Sequence, residues 1–402
     1  MDFNDNPQEA AYRARARAWP EAHAPAARVP GHEGDPGHMA AAKAWQAKKA
    51  DAGYACITWP KEWGGAGGTP IESVIFGQEE ARFPVPGGYF TIGLGMCVPT
   101  VMAFADDATK QRFVGPAMRG DEIWSQLFSE PAGGSDVAAI RTRAIRDGDD
   151  WIINGQKVWT SGAHYSDFGI VLVRTNPDVP KHKGLTMFWL DLKSPGVDIR
   201  PIHQASGGSN FNEVFFNDVR VPDSQRLGAV DEGWKVALVT LMNERLAVGS
   251  LGGVSATDIL EAARGIDTEA GPMLKDASFR QRLADWYVQA QGLRNTRMRT
   301  ITALSKGQTP GPESSIGKII SATQLQEIGN AAVEMEEQFG IIDDPALAPL
   351  RAAFQSAVMS SPGLRIAGGT DEILRNIIAE RVLGLPGEIR TDKDLPFKDV
   401  KH

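Results

Sequence analysis

Apolar and polar positions change their period twice along the chain. From Gln8 to about Arg119 they recur with helical spacing, broken by the Gly/Pro-rich stretch Trp59 to Pro70, after which a helix is predicted over Ile71 to Arg82. Near Asp121 the pattern shortens to β-type runs: Arg141 to Arg146, Trp151 to Asn154, Ile170 to Arg174, Leu185 to Asp191 and Glu213 to Phe216. The first two are joined by the turn residues Asp147, Gly148, Asp149 and Asp150, and short strands at this spacing predict a compact all-β unit. Beyond Pro222 and Gly228 helical periodicity returns over Trp234 to Val248, Arg280 to Ser305, Gly317 to Phe339 and Thr370 to Leu383. Gly384 and Pro386 stop the last helix, and the charged, poorly periodic stretch Gly387 to His402 is expected to be a loosely held tail. The divisions are therefore 1–120, 121–230, 231–386 and a tail 387–402. Helices, then strands, then helices is an α+β order and not the βαβ alternation of a doubly wound sheet.

Val85 to Ala105 contains no charged residue and is about long enough to cross a bilayer. Pro86, Gly87, Gly88, Gly93, Gly95 and Pro99 punctuate it, so it reads as buried helices joined by a Gly-rich turn, lining an apolar pocket, and no membrane span is expected. Across 402 residues, 42 Lys and Arg stand against 50 Asp and Glu. That mildly acidic balance lacks the basic footprint of a nucleic-acid or anionic-lipid binder. Cys56 and Cys97 offer neither a disulfide framework nor the paired spacing of a zinc site, so no metal is expected and a reducing cytoplasm is the expected compartment. No apolar run follows Arg13, Arg15 and Arg17 to make an export signal.

Three elements carry candidate chemistry. In Gln126 to Asp136, a turn-forming Pro131, the glycines Gly133 and Gly134, and the hydroxyls of Ser129 and Ser135 can present backbone N–H groups to an anion or a polar ring edge, although an ordinary connecting loop uses similar residues. In Gly155 to Ala163, the aromatic face of Trp159 stands two residues from the hydroxyl of Ser161, which suits a ring and its nitrogen as well as a buried Trp before a turn. In Gly368 to Asn376, two glycines precede a helix capped by Thr370, with an apolar stripe at Ile373, Ile377, Ile378 and Val382; the helix start is either an anion site or plain capping.

In this order the three elements resemble the acyl-CoA dehydrogenase family, over most of the chain. Phe128 to Asp136 is similar to that family's flavin loop, Trp159 to Ser161 to its Trp-Ile-Thr element, and Gly369 to Leu385 to its C-terminal signature. The resemblance implies an N-terminal helical domain, a central β-barrel and a C-terminal four-helix bundle. It also implies FAD, bound by Leu127, Phe128, Ser129, Gly134 and Ser135, by Trp159, Thr160 and Ser161, and by Thr370 and Glu372. Ser129 would contact the pyrimidine side, Ser135 the phosphates, Ser161 the N5 position, Trp159 would flank the ring, and Thr370 and Glu372 would lie near the pyrophosphate and ribose.

The implied reaction removes a proton next to a thioester while a hydride leaves the neighbouring carbon, giving a trans-2-enoyl-CoA and electrons for an electron-transfer flavoprotein. It needs a desolvated carboxylate. Many members carry this Glu just before the Gly-Thr of the C-terminal signature, where this chain has Gly368. Isovaleryl- and long-chain-type members carry it before an Arg on the helix opening the bundle, and here that pair is Glu244 and Arg245. Glu244 is thus the expected base, with Arg245 supporting the substrate site. Two departures concern assembly: the Arg-x-x-Phe-Gly adenine contact has no counterpart in Ala262 to Lys275, and the Gln and final Gly of Gln-x-x-Gly-Gly are Glu337 and Ile341. A homodimer or dimer-based tetramer, or a heteromer with a related subunit, is expected. The alternatives are an oxidase or monooxygenase of the same fold, which often lacks the Glu, and a non-catalytic partner subunit.

Overall fold

The computed structural model describes residues 5–31, 34–247, 253–268, 271–308, 311–312 and 315–400, without the side chains of residues 244–247 and 304. It divides into two compact units: one comprising residues 5–204, 208–247 and 389–400, the other residues 205–207 and 253–388.

The first unit opens with helices whose starts are written in their caps. Asn6 and Glu9 form a reciprocal capping box at α1 (Pro7–His23), and Thr69 and Glu72 do so at α3 (Pro70–Glu80), after α2 (Pro36–Asp51). The stretch Val85 to Ala105 contains one π-helical turn, Gly93–Cys97, running into α4 (Val98–Phe104). Asp106 caps α5 (Asp107–Arg119) by accepting the Thr109 N–H, and Gly120 ends it at φ +79°, a left-handed conformation that suits glycine.

Eight strands follow: β1 (Trp124–Leu127), β2 (Arg143–Asp147), β3 (Asp150–Lys157), β4 (Phe168–Arg174), β5 (Leu185–Asp191), β6 (Val197–Pro201), β7 (Asn212–Pro222) and β8 (Arg226–Leu227). They form one sheet in the order β6-β7-β3-β2-β4-β5-β8, with β1 parallel to β4, Trp124 opposite Phe168. β4 is a continuous apolar run because both its faces are covered. Ile170 and Leu172 join the core shared with α4 and α5, while Val171 and Val173 pack with Ile153, Phe188 and Val214 on the other side. β1, β6 and the two-residue β8 escaped the periodicity reading. The unit's last helix, α6 (Gly233–Ala247), buries Val236, Ala237 and Thr240 and exposes Leu238 and Met242.

Within the stretch expected to be a loosely held tail, residues 392–398 are anchored, whereas 387–390 are exposed and irregular. Pro396 bridges Pro180, the Phe397 and Lys398 amides donate to the Val179 and Pro177 carbonyls, Lys398 pairs with Asp178, and Asp392 pairs with Lys181. Sequence periodicity misses such a segment because its contacts are backbone and ionic, not an apolar stripe.

The second unit is helical: α7 (Ala256–Ala263), α8 (Ala277–Ser305), α9 (Ser315–Met335), α10 (Ala353–Ile366) and α11 (Asp371–Arg381). Ile259, Phe279, Trp286, Ile328 and Phe354 form its core. α9 and α10 approach closely at Gly329, where a Cβ would lie 3.1 Å from that of Ala357. The helix predicted to Phe339 stops at Met335 and gives way to a short 3-10 turn, Glu337–Ile341, opened by Glu337 at φ +50°. α7 and α10 were not foreseen; α10 carries Pro362 and adjacent serines, which blur its period. On α11 the buried face is Asp371 and Leu374, while Ile373 and Val382 of the expected apolar stripe are exposed.

Candidate active site

Two of the three candidate elements meet in the first unit. The Val158 N–H donates to the Ser129 carbonyl at 2.9 Å, and the Ser125 hydroxyl donates to the Ser161 carbonyl at 2.9 Å, so β1 and the loop after it run beside residues 158–161. Beneath them lies a buried ion pair. The Lys157 ammonium, with no solvent exposure, sits 2.8 Å from Glu130 Oε1 and donates to the Phe128 carbonyl at 3.0 Å. Glu130 also accepts the Arg141 N–H at 2.6 Å and the Thr142 N–H at 2.9 Å. Burial pushes the Glu130 carboxyl up, but the Lys157 charge and these hydrogen bonds outweigh it and hold it below the usual range. Burial draws the Lys157 ammonium down to about 8 against the pull of Glu130. One carboxylate thus ties both ends of the loop 130–142 to β3.

The loop's far end is fixed by Arg174, whose guanidinium donates to the backbone carbonyls of Ile140, Ala138 and Lys181. Lys181 pairs with Asp136 at 2.7 Å. Between these anchors Gly134, Ser135 and Asp136 are exposed, and a Cβ at Gly134 would meet nothing within 4 Å. Leu127 and Phe128 are core side chains, so they offer a ligand only backbone groups. Ser129 and Ser161 are half-buried.

Trp159 is the most telling residue. It sits at φ +58°, a conformation that is costly for a bulky side chain, two residues beyond β3, and is 58% exposed with its ring edge-on to that of Phe211. Nearby, Thr160 Oγ1 and Gln126 Oε1 are buried without a hydrogen-bond partner. Beside Ser161 a cavity of about 180 Å³ is lined by Tyr89, Ile92, Trp124, Tyr165 and Phe211, so the stretch from Val85 does line a pocket. An exposed aromatic face, an open glycine-serine loop and unsatisfied polar atoms beside them form a donor set that fits a flat heteroaromatic group carrying phosphates.

α6 is set by a hydroxyl clasp: Thr240 Oγ1 lies 2.9 Å from Thr100 Oγ1 of α4, and both residues are fully buried. Position 244 follows one turn later on α6. The side chains of Glu244 and Arg245 lie outside the described residues.

In the second unit Thr370 caps α11 by accepting the Ile373 N–H, and Glu372 is exposed in its first turn. Gly368 and Gly369 take φ +63° and +93°, so the turn needs glycine at both. The turn is braced by Asp371, 2% exposed, which pairs with Arg365 at 2.7 Å, and by Lys318, which donates to the Gly369 carbonyl at 2.7 Å. Sequence reasoning missed the braces Lys157, Arg174, Lys181 and Lys318, since isolated cations carry no motif.

Three family models match in succession: "Acyl-CoA dehydrogenase, N-terminal domain" over residues 6–121, "middle domain" over 125–219 and "C-terminal domain" over 231–383. The chain belongs to the acyl-CoA dehydrogenase family. It is an oxidoreductase of the acyl-CoA dehydrogenase class. Acyl-CoA dehydrogenase IpdE1 of Mycobacterium tuberculosis is 36% identical over 356 residues, covering 87% of this chain and 89% of IpdE1. Acyl-CoA dehydrogenase FadE34 of the same organism is 38% identical over 341 residues, 85% of this chain. The chain spans about half of FadE34's length, 46%. Among solved structures, the ChsE4-ChsE5 complex from Mycobacterium tuberculosis is similar at TM-score 0.77 and 26% identity, covering 96% of this chain and 100% of that one. The helical, β and helical segments of this acyl-CoA dehydrogenase chain are therefore those of its family. Among the described residues no helix is long and apolar enough to cross a membrane.

Proposed function

We propose that this chain dehydrogenates an acyl-CoA thioester at its α,β bond to a trans-2-enoyl-CoA, in the cytoplasm, using FAD and passing electrons to an electron-transfer flavoprotein. The observation that carries the reading is the meeting of the loop 129–136 with Trp159 to Ser161, where a strained, exposed indole faces outward beside unpaired buried acceptors. Leu127 and Phe128 would supply backbone groups and Ser129 a hydroxyl to the ring's pyrimidine edge, with Gly134 and Ser135 at the phosphates. Trp159 would cover a ring face, with Thr160 and Ser161 at its central edge. Thr370 and Glu372 would serve the pyrophosphate and ribose. When bound, FAD accepts the hydride.

The chain's own part is to place a base and exclude water. Glu244 takes the proton from the carbon beside the thioester, with Arg245 supporting the substrate. Placement of the Glu on α6, and not at Gly368, is the isovaleryl- and long-chain-type arrangement, and Gly368 at φ +63° supports it because that backbone disfavours a Glu. A dimer-based assembly with a second copy or a related chain is proposed on two grounds: FadE34 is about twice the aligned length, and ChsE4-ChsE5 is a complex of two named components.

The test is anaerobic mixing of the FAD-loaded protein with a panel of acyl-CoA thioesters while flavin absorbance is followed. Glu244→Gln should retain FAD yet bleach at least roughly a hundredfold more slowly with the best substrate. Near-normal bleaching would remove Glu244 from the role, and protein that neither purifies with FAD nor takes it up would overturn the whole reading.

A further inference from the structure

The two cations that hold the loop 130–140 are each engaged from outside by the chain's last segment. Asp392 Oδ2 lies 3.0 Å from the Lys181 ammonium, which is 2.7 Å from Asp136. The Phe397 ring covers the Arg174 guanidinium, whose carbon is 3.7 Å from the ring centroid, and Arg174 in turn holds the Ala138 and Ile140 carbonyls. Arg174 is 4% and Lys181 6% exposed, so neither is a freely solvated surface charge. The segment is seated as well as charged, through the Pro180–Pro396 bridge and the Phe397 and Lys398 amides. It also lies past residue 383, where the match to the family's C-terminal model ends.

We propose that residues 391–399 are a strap that positions the cofactor loop, with Asp392 and Phe397 as positioning residues acting through Lys181 and Arg174. The loop has three exposed residues at its tip, Gly134 to Asp136, and no apolar side chain there to hold it by packing. Ala138 and Ile140 anchor its far end in the core, so the conformation of the exposed tip depends on the ionic and carbonyl contacts at its base. Among the described residues Arg174 has no carboxylate within ion-pairing distance; its partners are three carbonyls and an aromatic face, so removing the ring uncovers a charge that was shielded from water. Burial would lower the Lys181 ammonium, but Asp136 and Asp392 outweigh it and leave it raised, so Lys181 stays charged at neutral pH and both carboxylates compete for one cation. The proposal rests on the flavin reading for the identity of the ligand and not for the strap itself.

The test uses the full chain carrying Asp392→Ala and Phe397→Ala together. In the apoprotein, amide exchange across residues 133–140 should speed up about tenfold, the sum expected of one cation–π contact and one partly buried ion pair, while Ile152 and Ile153 of β3 exchange as before. Titrating apoprotein with FAD, followed by quenching of flavin fluorescence, should show affinity falling by about the same factor. Asp392→Glu with Phe397→Tyr should restore both. Unchanged loop exchange in the double variant, or acceleration spread evenly over the sheet, would overturn the strap. Failure of the wild-type apoprotein to bind FAD would overturn the flavin reading instead, and the exchange measurement would still decide the strap.

Discussion

Replacing Lys157 by Met tests the foundation of the site. The substitution keeps chain length and volume, so no cavity opens, but it removes the ammonium that pairs with Glu130, whose side chain is 6% exposed. Breaking one side of a buried ion pair costs ~3–5 kcal/mol because the other charge is left uncompensated. Here the carboxylate keeps the Arg141 and Thr142 amides, which places the loss at the lower end, about 3 kcal/mol at pH 7. Acid should shrink the difference. In the parent the Glu130 carboxyl is depressed, so its contribution is present above the unfolded value near 4.5 and is lost as pH falls through the folded one. Without Lys157 burial dominates, the folded carboxyl titrates above its unfolded value, and the variant gains stability on acidification. Urea unfolding of the apoprotein, followed by circular dichroism at pH 7 and near pH 4.5, measures both effects. Adding Glu130→Gln to Lys157→Met should recover most of the loss. A cost under about 1 kcal/mol at pH 7, or one that does not shrink in acid, would refute the reasoning.

Gly368→Ala should destabilise by about 1–2 kcal/mol in thermal or urea unfolding, because φ +63° crowds a Cβ against its own carbonyl; no change would mean the turn relaxes freely. The same strain predicts that Glu244→Gln with Gly368→Glu regains little of the bleaching rate lost by Glu244→Gln alone.

How much of this was legible in the sequence depends on the kind of force involved. The long apolar runs gave their elements nearly to the residue: Leu185 to Asp191 is β5, and Ile170 to Arg174 lies within β4. The short parallel β1 was missed because its hydrogen bonds go to a strand 44 positions away, and nothing local in Trp124 to Leu127 marks that pairing. Of the candidate residues, the glycines and hydroxyls of 129–136 and 159–161 in the first unit, and of 368–370 in the second, were visible as motifs, since turns and close approach demand particular residue types. The cations beneath them were not. Lys157 and Arg174 look like any polar residues in a strand, and only the fold shows that their heads point inward. The tail was misjudged for the complementary reason: its anchors are one bridge between prolines, two backbone amides, one ring and scattered charges.

The pairing of β1 also bears on the order in which the molecule comes together. β2 and β3 are joined by the two residues Gly148 and Asp149, a loop closed at little entropic cost, whereas β1 must enclose more than forty residues to reach β4. Each doubling of an enclosed length costs ~0.6 kcal/mol, so the hairpin is the early event and β1, leading into the loop at the site, is a late arrival. Pulsed amide labelling during refolding should find Ile152 protected before Gln126, and the reverse order would contradict this. Under the proposed flavin reading, the nascent chain has nowhere to seat the dinucleotide until its sheet is nearly complete, so added FAD should stabilise the finished protein without hastening its folding.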